Sequence, residues 1–177
     1  GANVPFAVRA RVCLLRDLGS ALAPDNAFAI IQGLETVALR MKQHCENAGK
    51  VVNFLKKHKE VTKVIYSTEH EKKIADRAKQ YLKGGNGPMV GIELKGGIEA
   101  GKRFIESLKM FYHVANIGDA RSLAIHPAST THSQLNEKEL AASGVTQSYV
   151  RLCIGIEHID DIIDDLDQAL NKSSKGS

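Results

Sequence analysis

The strongest constraint on folding is a run of apolar residues that recurs every three or four positions in the first third of the chain. The run comprises Ile31, Leu34, Ala38, Met41, Cys45, Ala48, Val52 and Leu55. This spacing places them on one face of an α-helix that we predict from about Asn26 to Lys57. At 1.5 Å per residue such a helix is roughly 48 Å long, whereas a compact domain of this chain length is about 40 Å across. We therefore predict a long interdomain helix over residues 26–58 that joins this domain to another outside the sequence. A break at Gly33 or Gly49 is the alternative, because glycine weakens a helix interior.

The residues on either side of this helix predict further helices and strands. Residues 1–25 contain a helix over Phe6–Leu18 and a connector, and the polar tail of residues 171–177 is expected to be flexible. Between them, over residues 59–170, strands and helices alternate. The predicted strands are Val61–Tyr66, Met89–Leu94, His113–Ala115 and Tyr149–Ile154, and the predicted helices are Glu69–Leu82, Ile98–Leu108, Asn136–Ala142 and His158–Leu170. This alternation predicts an α/β domain with a small mixed or antiparallel sheet covered by helices.

Composition and charge argue against several functional classes. No run of about 18 apolar residues predicts a membrane span, and the first five residues lack the features of a secretory signal. The net charge is only +4 and tryptophan is absent, so the basic cluster at residues 56–59 fits a helix C-terminus better than a nucleic-acid surface. Cys13, Cys45 and Cys153 show no zinc-ligand spacing. We expect them to be buried, reduced thiols of a cytoplasmic protein.

Arg151 is the strongest candidate for a functional side chain. It lies in the middle of an apolar strand, between Val150 and Leu152, where an unpaired charge is too costly to bury. Its planar guanidinium matches a carboxylate with two parallel hydrogen bonds. From the residues alone, that carboxylate is equally well a ligand or an internal acid such as Asp119 or Glu157.

Two other polar features have simpler interpretations than catalysis. His126 and His132 lie six residues apart without the further His or Glu spacing of a zinc site, so we predict that they fix their loop by hydrogen bonds and that the chain binds no metal. The glycine-rich segment at residues 84–87 precedes a strand, not a helix N-terminus, so it lacks the N–H array that binds phosphate. We interpret it as a turn.

Two segments resemble a known enzyme family. They are NIGDARSLAIHPASTTHS, residues 116–133, and YVRLCIGIE, residues 149–157. Together and in this order they resemble the C-terminal domain of the fold type I, pyridoxal-phosphate-dependent enzymes of cysteine and methionine metabolism. Within that family they are most similar to the O-acetylhomoserine sulfhydrylase branch. The resemblance extends over roughly residues 6–170, which would be only the last part of a family member.

The resemblance implies roles for three residues. Arg151 matches the arginine that binds the α-carboxylate of the amino-acid substrate. Asn116 matches a loop position that helps to bind the same carboxylate; it is often serine in relatives, and asparagine there favours the sulfhydrylase branch. Thr131 matches a position that supports the arginine. No catalytic and no cofactor-binding residue is implied within the chain.

The resemblance also implies a reaction and partners for the intact protein. It would be a transferase of methionine biosynthesis that converts O-acetylhomoserine and sulfide into homocysteine and acetate, with pyridoxal phosphate as cofactor. The lysine that carries the cofactor would lie in a missing N-terminal domain, so this domain alone would be inactive and would not hold pyridoxal phosphate. The intact enzyme would be a homo-oligomer, commonly a tetramer, with no nucleic-acid or membrane partner. The alternatives are a related enzyme (methionine γ-lyase or a cystathionine synthase or lyase) and a non-catalytic interaction or ligand-binding domain.

Overall fold

Residues 4–174 are described by the computed structural model of the chain. They divide into two compact units, whose described parts are residues 4–38 and residues 39–174. Within residues 4–174, none of the helices combines the length and the apolar character needed to cross a bilayer.

The first unit is helical and leaves its apolar side chains exposed. One helical stretch is made of α1 (Pro5–Arg9), a π-helical segment (Ala10–Leu15) and α2 (Arg16–Leu18). It ends at Gly19, whose positive φ of 71° is the left-handed conformation that terminates helices. Helix α3 (Pro24–Glu35) follows, and none of these helices contains a buried residue. The part of the predicted apolar face that lies in this unit is therefore solvent-exposed, with Ile31 at 54% and Leu34 at 62% exposure.

The predicted long helix is two helices in the structure. Helix α3 ends at Glu35 and α4 (Val37–Leu55) begins after Thr36, whose ψ of 5° is not helical. Neither Gly33 nor Gly49 interrupts a helix. The break falls where two β-branched residues, Thr36 and Val37, follow each other, and threonine also competes with helical hydrogen bonds through its hydroxyl. The prediction of one continuous helix longer than its own domain is therefore wrong. The interdomain role of residues 26–58 stays a prediction.

The second unit contains a five-stranded mixed sheet, as predicted. Its strands in chain order are β1 (Val61–Ile65), β2 (Met89–Leu94), β3 (Tyr112–His113), β4 (Leu123–Ile125) and β5 (Tyr149–Cys153). Their order in the sheet is β1-β2-β5-β4-β3, with β3 and β4 parallel and the other pairs antiparallel. Strand β4 was missed in the sequence, where it was assigned to a loop. At three residues it is too short to show an alternating pattern.

Helices α4, α6 (Gly97–Ser107) and α8 (Ile159–Ser173) bury their apolar faces in the core of this unit. Val150 and Leu152 of β5 lie in the same core, as do Val90 and Ile92 of β2. Burial of each large apolar side chain contributes about 1.5–3 kcal/mol, which makes this layer the main source of stability. Since side chains alternate along a strand, Tyr149, Arg151 and Cys153 lie on the opposite face of the sheet.

The remaining segments differ in detail from the prediction. Helix α8 extends to Ser173, whose side chain is buried, so the beginning of the predicted flexible tail is helical; residues 175–177 lie outside the described residues. Helix α5 (Lys72–Tyr81) has no buried residue, and α7 (Glu137–Ala142) is short. Of the three thiols, which are all free, Cys153 is buried as expected, but Cys45 is half-buried and Cys13 is exposed.

Candidate functional site

Arg151 occupies the middle of β5, on the face of the sheet away from the core. It pairs in register with Gly91 of β2 on one side and with Ile125 of β4 on the other. Its side chain is half-buried, and its Nη2 donates to the backbone carbonyl of Asn116 at 3.5 Å, the outer limit of a hydrogen bond. A guanidinium carries five N–H donors. One long bond to a neutral carbonyl leaves most of this capacity available to a ligand.

The two acids considered as internal partners of Arg151 are both engaged elsewhere. Asp119 accepts two hydrogen bonds from the guanidinium of Arg121, each 3.2 Å long, and these bonds lower the pKa of Asp119. Glu157 accepts from the backbone N–H of Ser122 at 2.6 Å and from its hydroxyl at 2.9 Å. Among the side chains that the structure describes, no carboxylate lies within 4 Å of the Arg151 guanidinium. The alternative interpretation, in which Arg151 forms a salt bridge with Asp119 or Glu157, is therefore wrong.

The structure brings Asn116 close to Arg151, but it does so through the backbone. The Asn116 side chain is exposed on a loop that turns at Gly118, whose φ is 85°. Thr131 is not brought to the arginine: its hydroxyl is hydrogen-bonded to Nδ1 of His132 at 2.8 Å. The roles of Asn116, Arg151 and Thr131 in binding a substrate remain predictions.

His126 fixes the segment after β4, the role that the sequence predicts for it. Its side chain is fully buried, with Nδ1 2.8 Å from the Ser129 hydroxyl and Nε2 2.8 Å from the Gln147 carbonyl. Burial lowers the pKa of His126, so the ring is neutral at pH 7. A carbonyl can only accept, so Nε2 carries the proton and Nδ1 accepts from Ser129. The ring fits because Gly101 of α6 has no side chain: a Cβ there would lie 2.5 Å from His126 Nε2.

A groove of about 390 Å³ runs along the sheet beside Arg151. Its lining includes Tyr149, which sits over Gly91, together with Tyr66, His70 and Ile74. Burial raises the pKa of Tyr149, an effect that the charge of Arg151 opposes, and burial raises the pKa of Tyr66 to about 12. Both phenols therefore keep their protons at neutral pH. The sequence reasoning missed Tyr149, although its position two residues before Arg151 on a strand places both side chains on one face.

The site is suited to binding an anion. A cation on the open face of the sheet, without an internal acid, is the arrangement that recognises a planar carboxylate. Residues 4–174 contain no cluster of three or more potential metal-binding side chains.

Comparisons with known proteins agree on one family of enzymes. The model of the family described as Cys/Met metabolism PLP-dependent enzyme matches residues 3–171. A Leptospira meyeri protein named O-acetyl-L-homoserine sulfhydrylase is 51% identical over 96% of the chain and 39% of its own length. An L-methionine gamma-lyase of Fusobacterium nucleatum subsp. polymorphum is 42% identical over 96% of the chain and 43% of its own length.

A solved structure agrees with the sequence comparisons. It is the crystal structure of a Campylobacter jejuni protein named as an O-acetylhomoserine (thiol)-lyase, with a TM-score of 0.85 and 44% identity over 94% of the chain. That protein contains N′-pyridoxyl-lysine-5′-monophosphate. The chain spans about 39% of the length of this structure and of the Leptospira relative.

Almost all of the described lysines of the chain are exposed at its surface. A lysine that forms a Schiff base is activated by desolvation in a pocket, yet the described lysines are exposed except for Lys102, which is half-buried. Lys102 is bonded to Glu99 at 2.8 Å, and none of the residues lining the groove beside Arg151 is a lysine. The described residues that line this groove, with a guanidinium and two phenols, suit a carboxylate.

Proposed function

Because the chain belongs to the family of Cys/Met metabolism PLP-dependent enzymes, we propose that it is the substrate-binding C-terminal part of an O-acetylhomoserine sulfhydrylase. The intact enzyme would convert O-acetylhomoserine and sulfide into homocysteine and acetate. The identity of 51% to the Leptospira sulfhydrylase supports this branch of the family.

Arg151 carries the proposal, since its guanidinium lies on the open face of the sheet and none of the described carboxylates lies within 4 Å of it. We assign it the α-carboxylate of the amino-acid substrate. The Asn116 carbonyl orients the guanidinium from the β4 side, and the exposed Asn116 amide is available to donate to the same carboxylate. The supporting role of Thr131 that the resemblance implies is kept as part of the proposal.

The cofactor would be held by residues that this chain does not contain. When bound, pyridoxal phosphate supplies the electron sink for removal of the acetate group and its replacement by sulfide. The relatives are about two and a half times as long as the chain, as its share of 39% implies. We propose that the further part of the protein provides the lysine and covers the exposed apolar side chains of residues 4–38.

The test is a pair of substitutions in the full-length enzyme. Arg151→Ala should raise the KM for O-acetylhomoserine and lower kcat/KM by roughly 10²–10³-fold, because two charge-assisted hydrogen bonds of about 1.5–3 kcal/mol each are lost with partial compensation by water. Arg103 of α6 is the control: its Nε donates to the Ser173 carbonyl at 3.0 Å on the helical side of the sheet. Arg103→Ala should reduce stability and leave KM unchanged. An unchanged KM in Arg151→Ala would return Arg151 to a structural role.

Methionine γ-lyase is the second candidate, because a relative with that name is 42% identical to the chain. The two functions differ in substrate. The full-length enzyme should form homocysteine from O-acetylhomoserine and sulfide much faster than it releases methanethiol from methionine. The reverse order of rates would favour the lyase.

A further inference from the structure

Glu157 and Ser122 form a closed set of hydrogen bonds next to the proposed carboxylate site. Glu157 accepts both the N–H and the hydroxyl of Ser122, at 2.6 and 2.9 Å. The Ser122 hydroxyl oxygen in turn accepts the N–H of Gly155 at 2.9 Å, and the Ser122 carbonyl accepts the N–H of Tyr112 at 3.0 Å. Every polar group of the buried Ser122 is therefore used.

These bonds join the two segments that carry the site. Ser122 ends the loop that begins at Asn116 and directly precedes β4, whereas Gly155 and Glu157 lie two and four residues after the end of β5. The N–H of Ile156 also donates to the Ala120 carbonyl at 2.8 Å. The bonds therefore hold the loop against the end of β5, the strand that bears Arg151.

The contact is too close to tolerate a side chain at position 155. A Cβ on Gly155 would overlap Glu157 Oε2 and would lie 2.5 Å from the backbone nitrogen of Ser122 and 2.6 Å from the carbonyl oxygen of Ala120. Glycine is thus required by close approach and not by backbone conformation.

Helix α4 fixes the same segment from the core side. His44 Nδ1 lies 2.7 Å from the Ile154 carbonyl, and Asn47 Nδ2 donates to the carbonyls of Gly155 and Glu157 at 3.1 and 2.9 Å. Both side chains are buried. Residues 154–157 are therefore held on two sides, so a change in Glu157 is transmitted to the loop and not absorbed by movement of its own backbone.

We propose that Glu157 is a positioning residue that sets the distance between the Asn116 loop and Arg151. It does not touch the substrate. By holding the end of the loop through Ser122, it keeps the Asn116 carbonyl beside the guanidinium and pre-organises the pair for a carboxylate. This inference rests on the proposed role of Arg151.

The test is a double-mutant cycle in the full-length enzyme. Glu157→Gln keeps the shape of the side chain but places a donor against the Ser122 hydroxyl, which already accepts from Gly155. It should raise the KM for O-acetylhomoserine about 10-fold while kcat changes little, the size expected for loss of one charge-assisted hydrogen bond. In an Arg151→Ala background the same substitution should change KM less than about 2-fold, since there is then no guanidinium left to position.

Two further variants keep the test decisive. Ser122→Ala removes the hydroxyl from the same set of bonds and should reproduce the KM effect if Glu157→Gln does not fold. Glu99→Gln, which changes an exposed carboxylate bonded only to Lys102, should leave KM unchanged. Hydrogen exchange provides a readout independent of activity: Glu157→Gln should expose the amides of residues 116–122 to exchange at least 10-fold faster, with those of β2 unchanged.

The outcomes separate this inference from the proposed function. If Arg151→Ala raises KM but Glu157→Gln and Ser122→Ala do not, only the positioning role is refuted. Equal KM effects of Glu157→Gln with and without Arg151 would also refute it, because the loop would then act independently of the guanidinium. If Arg151→Ala itself leaves KM unchanged, both fail.

Discussion

Gly101 offers the sharpest test of how the segment after β4 is held in place. This glycine lies in α6, where its missing side chain leaves room for the buried ring of His126. A Cβ at position 101 would lie 2.5 Å from Nε2 and 2.6 Å from Cδ2 of that ring. The ring cannot turn aside without losing a bond, since Nε2 is bonded to Gln147 and Nδ1 to Ser129.

The expected loss of stability is the sum of two destabilising effects and one stabilising effect. Overpacking a core site costs about 1–3 kcal/mol, and displacement of the ring from the Gln147 carbonyl costs about 1 kcal/mol more. Alanine stabilises a helix interior relative to glycine by roughly 0.5–1 kcal/mol. Gly101→Ala should therefore lower the free energy of unfolding by about 1–3 kcal/mol.

Gly49 is a matched control for this substitution. It also lies inside a helix, α4, but a Cβ there would meet no atom within 4 Å. Gly49→Ala should keep only the gain in helix propensity and stabilise the chain by about 0.5–1 kcal/mol. The same chemical change is thus expected to have opposite signs at two helical positions, with a difference of about 1.5–4 kcal/mol that isolates the clash with His126.

Urea unfolding of the purified chain, followed by far-UV circular dichroism at pH 7.5, measures both effects. With a slope of about 2 kcal/mol per molar urea, Gly101→Ala should unfold roughly 0.5–1.5 M earlier than the parent. Gly49→Ala should unfold slightly later than the parent. A Gly101→Ala variant as stable as Gly49→Ala would mean that His126 is not held where the structure places it.

Two further predictions concern buried polar groups. The carboxylate of Asp165 accepts the backbone N–H groups of residues 109–111 at 2.8–3.3 Å. Asp165→Asn should lower the free energy of unfolding in urea by about 2–4 kcal/mol, because the buried donors lose a charged acceptor. Asp164→Asn, at an exposed position, should leave the free energy of unfolding almost unchanged. Burial lowers the pKa of His126 in the folded chain, so its contribution to stability should be complete above its ordinary pKa of about 6.5 and should decline as the pH falls from there towards the folded-state value. Urea midpoints between pH 7.5 and 5 should show this decline, and an equal pH slope in His126→Gln would contradict the assignment.

The parts of the fold that the sequence predicts are those with a sustained local period. Strand β2 is predicted and found over Met89–Leu94, and β5 is predicted to within one residue. Both strands are long enough for the sequence pattern to show which of their side chains face the core. Strand β4 has no such signal, because its three residues are all buried and only its pairing with β5 and β3 defines it as a strand. The break at Thr36 also lacks a sequence signal. The apolar residues keep their helical spacing across it, and only the backbone of this one residue departs from helical geometry.

The candidate site shows the same division between local and long-range information. The type and position of Arg151 were enough to single it out, and the resemblance gave it a role. The sequence could not decide between an internal acid and an external ligand, because it does not show which side chain Asp119 or Glu157 contacts. Asp119 has a local partner, since Arg121 is only two residues away. The partner of Glu157 is set by tertiary geometry, because Ser122 meets it only where β4 and β5 are adjacent.

The engagement of these acids is what makes Arg151 available for binding. A carboxylate that is already bonded to Arg121, or to the N–H and hydroxyl of Ser122, would lose those bonds if it moved to Arg151, so it does not compete with a ligand for the guanidinium. The long contact to the Asn116 carbonyl competes even less, because a neutral acceptor binds a cation more weakly than a carboxylate does. The bonds between Ser122 and Glu157 therefore both hold the Asn116 loop in place and engage one of the two internal acids, while Arg121 engages the other. It follows that removing the acceptor at Glu157 should weaken substrate binding, whereas removing the acid at Asp119, which holds only Arg121, should have little effect on KM.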